Sequence, residues 1–349
     1  MDIKNLQREN IKNLTPYSTA RHEFKGTASI YLDANENSNG SPLDSPYNRY
    51  PDPQQNELKA AISLFKGVPS DHIFIGNGSD EAIDLLIRAF CEPGVDNVII
   101  MPPTYGMYEV SAAINNVAVK KVTLNPDFQL DMEGIAEAID KNTKLIFLCS
   151  PNNPTGNALN RKDIETILTN FNGLVIVDEA YINFSKQHSF IRELTEYVNL
   201  VVLQTFSKAW GLAALRVGMA FSSAPVIEIL NKVKPPYNIN LPAQQLVIEA
   251  IKNIGTVNAW IKDTVQERIK LGNELSQLSF VEYVYPSDAN FLLVKVQDAN
   301  AVYASLCERG IITRNRNNVT LCEGCVRITV GTSEENRILL ENLKKMENN

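Results

Sequence analysis

The chain has 349 residues, 44% of them hydrophobic and 21% charged, with a net charge of -7. Its length suits two domains, or one large α/β unit with a smaller lobe, built around an ample core. The acidic balance and the lack of a basic run exclude a nucleic-acid footprint, and no apolar run approaches membrane-spanning length.

Residues 1 to about 35 are polar and predict an arm reaching across the surface. The arm carries Tyr17 after a turn-favouring Pro16 and runs into Leu32-Asp33-Ala34-Asn35-Glu36-Asn37. The prolines of Asn48-Arg49-Tyr50-Pro51-Asp52-Pro53 predict an extended loop. A helix is expected over 56–65. Ile73-Phe74-Ile75 then leads into Gly76-Asn77-Gly78-Ser79-Asp80-Glu81 and an apolar-periodic helix, Ala82 to Phe90. A glycine-rich turn opening a helix offers unpaired backbone N–H groups to an anion. This turn is neither a Walker A nor a G-x-G-x-x-G motif, and an ordinary helix capped by Ser79 or Asp80 explains it as well.

From here strands and helices alternate. Strands are predicted at Val98–Met101, Ala118–Val122, Leu145–Cys149, Leu174–Asp178, Leu200–Gln204 and Val217–Phe221, with helices near 104–115, 131–140, 160–171 and 189–197. Alternation on this scale implies a mainly parallel sheet flanked by helices on both faces. Three predicted C-terminal strand ends, the ligand edge of such a sheet, carry unusual chemistry. Pro102-Pro103-Thr104-Tyr105-Gly106 presents an aromatic, Ser150-Pro151-Asn152-Asn153-Pro154-Thr155-Gly156 an amide-bearing turn, and Asp178-Glu179-Ala180-Tyr181 a carboxylate and a phenol. Pro235-Pro236 and Pro242 then break the chain before a long helical stretch, 243–275. Residues 280–349 predict a smaller α+β domain, with signals at Phe291–Val296, 299–309, Ile311–Arg314, Val326–Val330 and 334–346. It carries Arg314 and Arg327, each beside a strand.

The stretch Thr205-Phe206-Ser207-Lys208, with Arg216 eight residues after the lysine, follows the apolar run Leu200–Leu203. A lysine amine is a nucleophile only when neutral, and burial beside another cation favours that form. Small hydroxyls and an arginine fork suit a phosphate. Together they suggest a lysine forming a Schiff base with a phosphate-bearing aldehyde, pyridoxal 5′-phosphate. A strand followed by a loop with a solvated lysine accounts for this stretch equally well. Elsewhere, five cysteines point to reduced thiols, and the segment Met1–Gln7 lacks a signal-peptide core, so a cytoplasmic location is expected. Cys322-Glu-Gly-Cys325 has no second pair or nearby histidine; it is read as structural, and no metal is expected. His22, His72 and His188 are scattered and form no triad.

In this order and spacing, Asn153-Pro154-Thr155-Gly156, Asp178-Glu179-Ala180-Tyr181 and Ser207-Lys208 with Arg216 resemble the fold type I pyridoxal-phosphate aminotransferases. Leu32-Asp33-Ala34-Asn35-Glu36-Asn37 and Arg49-Tyr50-Pro51-Asp52-Pro53 narrow the resemblance to the histidinol-phosphate aminotransferases, from Leu14 to Gly331. It implies an arm over 1–35, a large cofactor-binding domain with an interdomain helix over 36–270, and a small C-terminal domain over 271–349. It implies transamination of L-histidinol phosphate with 2-oxoglutarate, giving imidazole acetol phosphate and L-glutamate, in histidine biosynthesis. Lys208 would hold pyridoxal 5′-phosphate and move the proton, Asp178 would pair with the pyridine nitrogen, and Asn153 and Tyr181 would meet the phenolic oxygen. Tyr105 would stack on the ring. Gly78, Ser79, Asp80, Thr205, Ser207 and Arg216 would cradle the phosphate. Tyr50 would reach the phosphate of a neighbouring subunit, implying a homodimer with shared sites. Arg327 would take the carboxylate of glutamate and 2-oxoglutarate, Arg314 with Tyr17 the substrate phosphate, and Asn35 and Asn153 would line the substrate site. An aromatic amino acid aminotransferase, an amino acid phosphate decarboxylase, or a non-catalytic binding protein of the same fold remain as alternatives; the last usually brings a helix-turn-helix domain, for which this chain has no spare segment. Trp210, after the lysine, is unfamiliar in this pattern.

Overall fold

The structure is a computed structural model describing residues 3–18 and 28–347. His22, like the rest of 19–27 in the expected arm, lies outside the described residues. The arm holds α1 (Glu9–Lys12), and α2 (Asn56–Lys66) precedes β1 (Ile73–Asn77). Then come α3 (Ser79–Phe90), β2 (Asn97–Ile100), α4 (Met107–Ile114), β3 (Ala118–Lys121), α5 (Met132–Ala138), β4 (Thr143–Cys149), α6 (Arg161–Asn170), β5 (Leu174–Asp178), β6 (Leu200–Thr205) and β7 (Val217–Ser222).

These seven strands form one sheet in the order β1-β7-β6-β5-β4-β2-β3. The strands β3, β2, β4, β5 and β6 run parallel, while β7 is antiparallel to both neighbours, β6 and β1. The central strands are apolar on both sides, so successive residues enter opposite cores. Val175 and Val177 face one cluster with Leu58, Ile62, Ile164 and Ile167 of α2 and α6. Leu174 and Ile176 face the other, with Ile83, Leu86 and Tyr108 of α3 and α4. The arm packs on this second side: Ile3 and Ile11 are buried there, and the Arg8 N–H donates to the Ala89 carbonyl at 3.0 Å.

The chain continues through α7 (Ala224–Val233), α8 (Leu241–Lys252), α9 (Ile254–Leu275), β8 (Val281–Val284), β9 (Phe291–Val296), α10 (Ala299–Glu308), β10 (Arg314–Asn315), β11 (Cys325–Thr329) and α11 (Ser333–Met346). Strands β10-β11-β9-β8 form an antiparallel sheet, and Leu292, Val294, Leu306, Val326 and Leu339 build its core with Leu271 and Leu275 of α9. A complete capping box, Thr332 with Glu335, starts α11.

Several expected elements need correction. The helix near 189–197 is only a 3-10 turn, Phe190–Glu193, because the Glu179 carboxylate takes the Phe190 N–H and the Ser189 hydroxyl and pins the segment to β5. The stretch 243–275 is two helices that meet at Asn253, whose side chain donates to the Glu249 carbonyl. The strand Ile311–Arg314 begins only at Arg314, since the Ile311 N–H turns back to the Leu306 carbonyl. Helix α7 and strand β8 were not anticipated; β8 is half exposed and lacks an apolar run. Among the described residues, no helix is long and apolar enough to cross a membrane.

Candidate active site

The sheet brings the C-terminal ends of β4, β5 and β6 to one edge, with Cys149 in register with Asp178 and Asp178 with Leu203. A cavity of about 330 Å³ opens there. Gly78, with φ 72°, ends the turn after β1 and is the N-cap of α3; no side chain caps this helix. The expectation that Ser79 or Asp80 caps it is therefore corrected. The first-turn N–H groups of α3 are available to an anion in the cavity. The Asp80 carboxylate instead accepts from the Tyr105 hydroxyl at 3.0 Å and from Arg216 at 3.4 Å. Gly218 backs the turn: a Cβ there would lie 2.1 Å from the Ser79 nitrogen, so only bare backbone lets α3 start this close to β7.

Arg216 adopts left-handed backbone, φ 55°, and its carbonyl accepts the Gly78 N–H at 2.6 Å. This uncommon conformation brings its guanidinium to Ser207 Oγ at 3.5 Å, beside the helix start. Thr205 Oγ1 accepts the Ser207 N–H at 3.0 Å and fixes the loop carrying Lys208. Beneath that loop, Trp210 packs edge-on against Phe65 and Phe206, so the unfamiliar residue extends the core.

Asp178 is 3% exposed. Burial pushes its carboxyl up to about 6, while the Tyr108 hydroxyl at 2.7 Å and the Ala180 N–H at 3.1 Å favour the charged form. Among the described residues no cation pairs with it within 4.0 Å. Lys208 opens to the cavity, its Nζ 5.6 Å from the centre of the Tyr181 ring. Desolvation by the cavity walls, then the nearby Arg327 charge, lowers its pKa, and Asp178 opposes them. Asn153 Nδ2 donates to the Tyr181 hydroxyl at 3.4 Å, and Arg327 donates to Asn153 Oδ1.

Of the residues expected from the sequence, Gly78, Ser79, Asp80, Tyr105, Asn153, Asp178, Tyr181, Thr205, Ser207, Lys208, Arg216, Arg314 and Arg327 all line this cavity. Three do not. Tyr17 is 76% exposed and lines a separate depression with Pro53, Lys232 and Lys234, because the arm lies against α7. Asn35 and Tyr50 line a surface groove, where Tyr50 stacks on Tyr237 at 4.4 Å and its N–H is held by Glu36. Within one chain, Tyr17 therefore does not meet Arg314.

Three contributors escaped the sequence. Tyr108 follows the expected Tyr105 by three residues, in the first turn of α4, but as a sequence feature it reads as a core aromatic. Arg316 follows Arg314 by two, the spacing of one strand face, and also lines the cavity. Glu179 has no such signal: it accepts from Gln204 at 2.9 Å, and Lys66 donates to Gln204 at 2.7 Å. Burial pushes Glu179 up to about 7 and Lys66 down to about 8. The network anchors the segment around Tyr181. Cys322 and Cys325 are buried free thiols, pushed up to about 12 and about 11 chiefly by burial.

A sequence model described as aminotransferase class I and II matches residues 31–343. The chain belongs to the class I and II aminotransferase family. It is 54% identical over 345 residues to a histidinol-phosphate aminotransferase of Parabacteroides distasonis, covering 99% of both chains. It is 55% identical over 344 residues to one of Bacteroides thetaiotaomicron, covering 98% of both. A solved histidinol-phosphate aminotransferase from Clostridium acetobutylicum superposes with a TM-score of 0.80 at 26% identity, over 86% of this chain and 91% of that one. The protein is thus an aminotransferase of the fold type I architecture, and its cofactor is pyridoxal 5′-phosphate. The donor set fits that group: an uncapped helix start with an arginine and hydroxyls for the phosphate, and, for the ring nitrogen, a buried carboxylate that forms no ion pair among the described residues.

Proposed function

We propose that this aminotransferase moves the amino group of L-histidinol phosphate to 2-oxoglutarate, giving imidazole acetol phosphate and L-glutamate, in histidine biosynthesis. The observation that carries this reading is a cavity joining Lys208 and Asp178 to Arg314, Arg316 and Arg327. Relatives of the same printed activity, matched along their whole length, support it.

When bound, pyridoxal 5′-phosphate supplies an aldehyde for amines and a ring that withdraws an electron pair from the amine-bearing carbon. The chain's residues would do the rest. The α3 N-terminus, Ser207, Thr205 and Arg216 would hold the phosphate. Asp178 would hold a proton on the ring nitrogen, with Tyr108 keeping the carboxylate charged. Asn153 and Tyr181 would orient the ring through its phenolic oxygen, and Tyr105 would lie against its face. Lys208, its pKa lowered by its surroundings, is suited to attack as a neutral amine. Its Nζ would then take the proton from the substrate's amine-bearing carbon. Two anionic substrates must use the site in turn, a phosphate monoester and a dicarboxylate, and a shared arginine cluster can receive both. Arg327 would take the carboxylate, and Arg314 the phosphate.

The same reading makes the protein a cytoplasmic homodimer in which Tyr50 serves the partner's cavity. The exposed groove around Tyr50 and Tyr237 supports that arrangement. It takes the two sheets as cores of a large and a small domain that part near residue 270. A substrate panel tests the assignment: amino transfer to 2-oxoglutarate should be most efficient from histidinol phosphate, ahead of histidinol, histidine, phenylalanine and threonine phosphate. A wild-type enzyme that favours unphosphorylated histidinol rejects it.

A further inference from the structure

Arg314 and Arg327, thirteen residues apart in sequence, are direct partners across the antiparallel pair β10–β11. Like charges placed opposite each other destabilise a sheet. Arg316 lies at the next position on the same face, its N–H bonded to the Cys325 carbonyl at 2.9 Å, so it is the diagonal neighbour of Arg327. All three line the cavity. Among the described residues, none of the three forms an ion pair within 4.0 Å, although carboxylates accompany Arg8, Arg49, Arg88, Arg161, Arg216 and Arg337. Arg327 has protein partners, donating to Asn153 and standing over the Phe291 ring. Among the described residues the Arg316 side chain has no hydrogen-bond partner, and its Nε is buried without an acceptor. A buried N–H left unpaired is costly, so an acceptor is expected there when the site is filled. Burial first, then the Arg327 and Arg314 charges, draw the Arg316 guanidinium down to about 10.

From this arrangement we infer that Arg316 is a specificity-determining residue that, with Arg314, selects a phosphate dianion over a carboxylate. The inference rests on the proposed substrate and goes beyond it, naming a residue that the sequence pattern did not. A phosphate monoester brings two charges and three acceptor oxygens, enough for two guanidinium forks. Each carboxylate of glutamate or 2-oxoglutarate brings one charge and two oxygens, and Arg327 engages one of them with a single fork. Relief of the repulsion among three guanidinium groups therefore favours the dianion. Removing Arg316 relieves that repulsion without any ligand, so carboxylate substrates lose little.

The test is holoenzyme carrying Arg316→Gln, with Arg316→Lys as the charge-keeping control and cofactor absorbance confirming an assembled site. The kcat/KM for histidinol phosphate should fall about 10- to 100-fold in Arg316→Gln. The half-reaction with glutamate should change less than about threefold, and competitive inhibition by inorganic phosphate should weaken about tenfold or more. Arg316→Lys should recover part of each loss. Equal losses with histidinol phosphate and glutamate, or unchanged inhibition by inorganic phosphate, overturn the inference. If wild type prefers histidinol phosphate over histidinol and Arg316→Gln keeps that preference, only the role of Arg316 falls. If wild type has no such preference, the substrate reading itself falls.

Discussion

Replacing Tyr108 with phenylalanine isolates the single hydroxyl that steadies Asp178. The ring is fully buried, stacked on Phe147 at 4.9 Å and edge-on to Tyr105 at 5.6 Å, and phenylalanine keeps those contacts. The 2.7 Å hydrogen bond to Asp178 Oδ2 is lost, and with it the contact of the same hydroxyl with the Cys149 thiol. A hydrogen bond to a charged group contributes about 1.5–3 kcal/mol, and one pH unit corresponds to about 1.4 kcal/mol. Asp178 stands at about 6 with that bond in place. Because the bond favours the charged form, its loss should raise the group by about one to two pH units, to or above neutrality. A protonated Asp178 cannot hold a proton on the ring nitrogen. The variant should therefore fold normally, bind cofactor about tenfold or more weakly near pH 7, and regain part of the loss as pH rises. Cofactor titration by absorbance across pH, with kcat/KM at saturating cofactor, measures both effects. A variant with wild-type affinity and an unshifted pH profile refutes the claim that Tyr108 sets the charge of Asp178.

Three further outcomes are expected. Asp178 has a folded pKa of about 6, raised from the ordinary carboxylate value near about 3.9. The folded state thus binds the extra proton, and cofactor-free protein should lose up to about 3 kcal/mol of stability from this group as pH rises from about 4 to about 6. Denaturant unfolding should show cofactor-free Asp178→Asn to be more stable than wild type near about pH 7.5, yet inactive; equal stability at that pH contradicts the desolvation argument. Gly218→Ala, whose Cβ meets Ser79 and Gly78 backbone, should push α3 off β7 and abolish cofactor binding at stoichiometric concentration, while unchanged binding would show that this approach is unimportant. Inactive Lys208→Ala mixed with an impaired Tyr50→Ala variant should recover activity in hybrid dimers; confirmed hybrids that stay dead place Tyr50 outside the neighbouring site.

Much of the large sheet was legible because its central strands are short apolar runs, buried on both faces. Leu174–Asp178 and Phe291–Val296 were expected with the observed bounds. The chemistry at the strand ends was legible for the converse reason: Asp178, Lys208 and Asn153 interrupt apolar stretches at the positions where a parallel sheet presents ligands. Long-range partners decided what was missed. The segment at 190–193 has helical composition, but the buried Glu179 competes for its N-terminal donors. Tyr108 looks like one more core aromatic until the fold carries Asp178 to its hydroxyl, seventy residues away. Arg316 stands in a polar run, Arg314-Asn315-Arg316-Asn317-Asn318, that reads as solvated surface. Only pairing with β11 turns one face of that run into a cavity wall.

The central claim is that Lys208, at the end of β6 among Asp178, Tyr181 and the arginines, carries the chemistry. Borohydride reduction of the holoenzyme followed by peptide mapping tests it most directly. The account predicts cofactor label on Lys208, in the peptide that follows Thr205-Phe206-Ser207. Label on Lys66, Lys234 or any other lysine would contradict it.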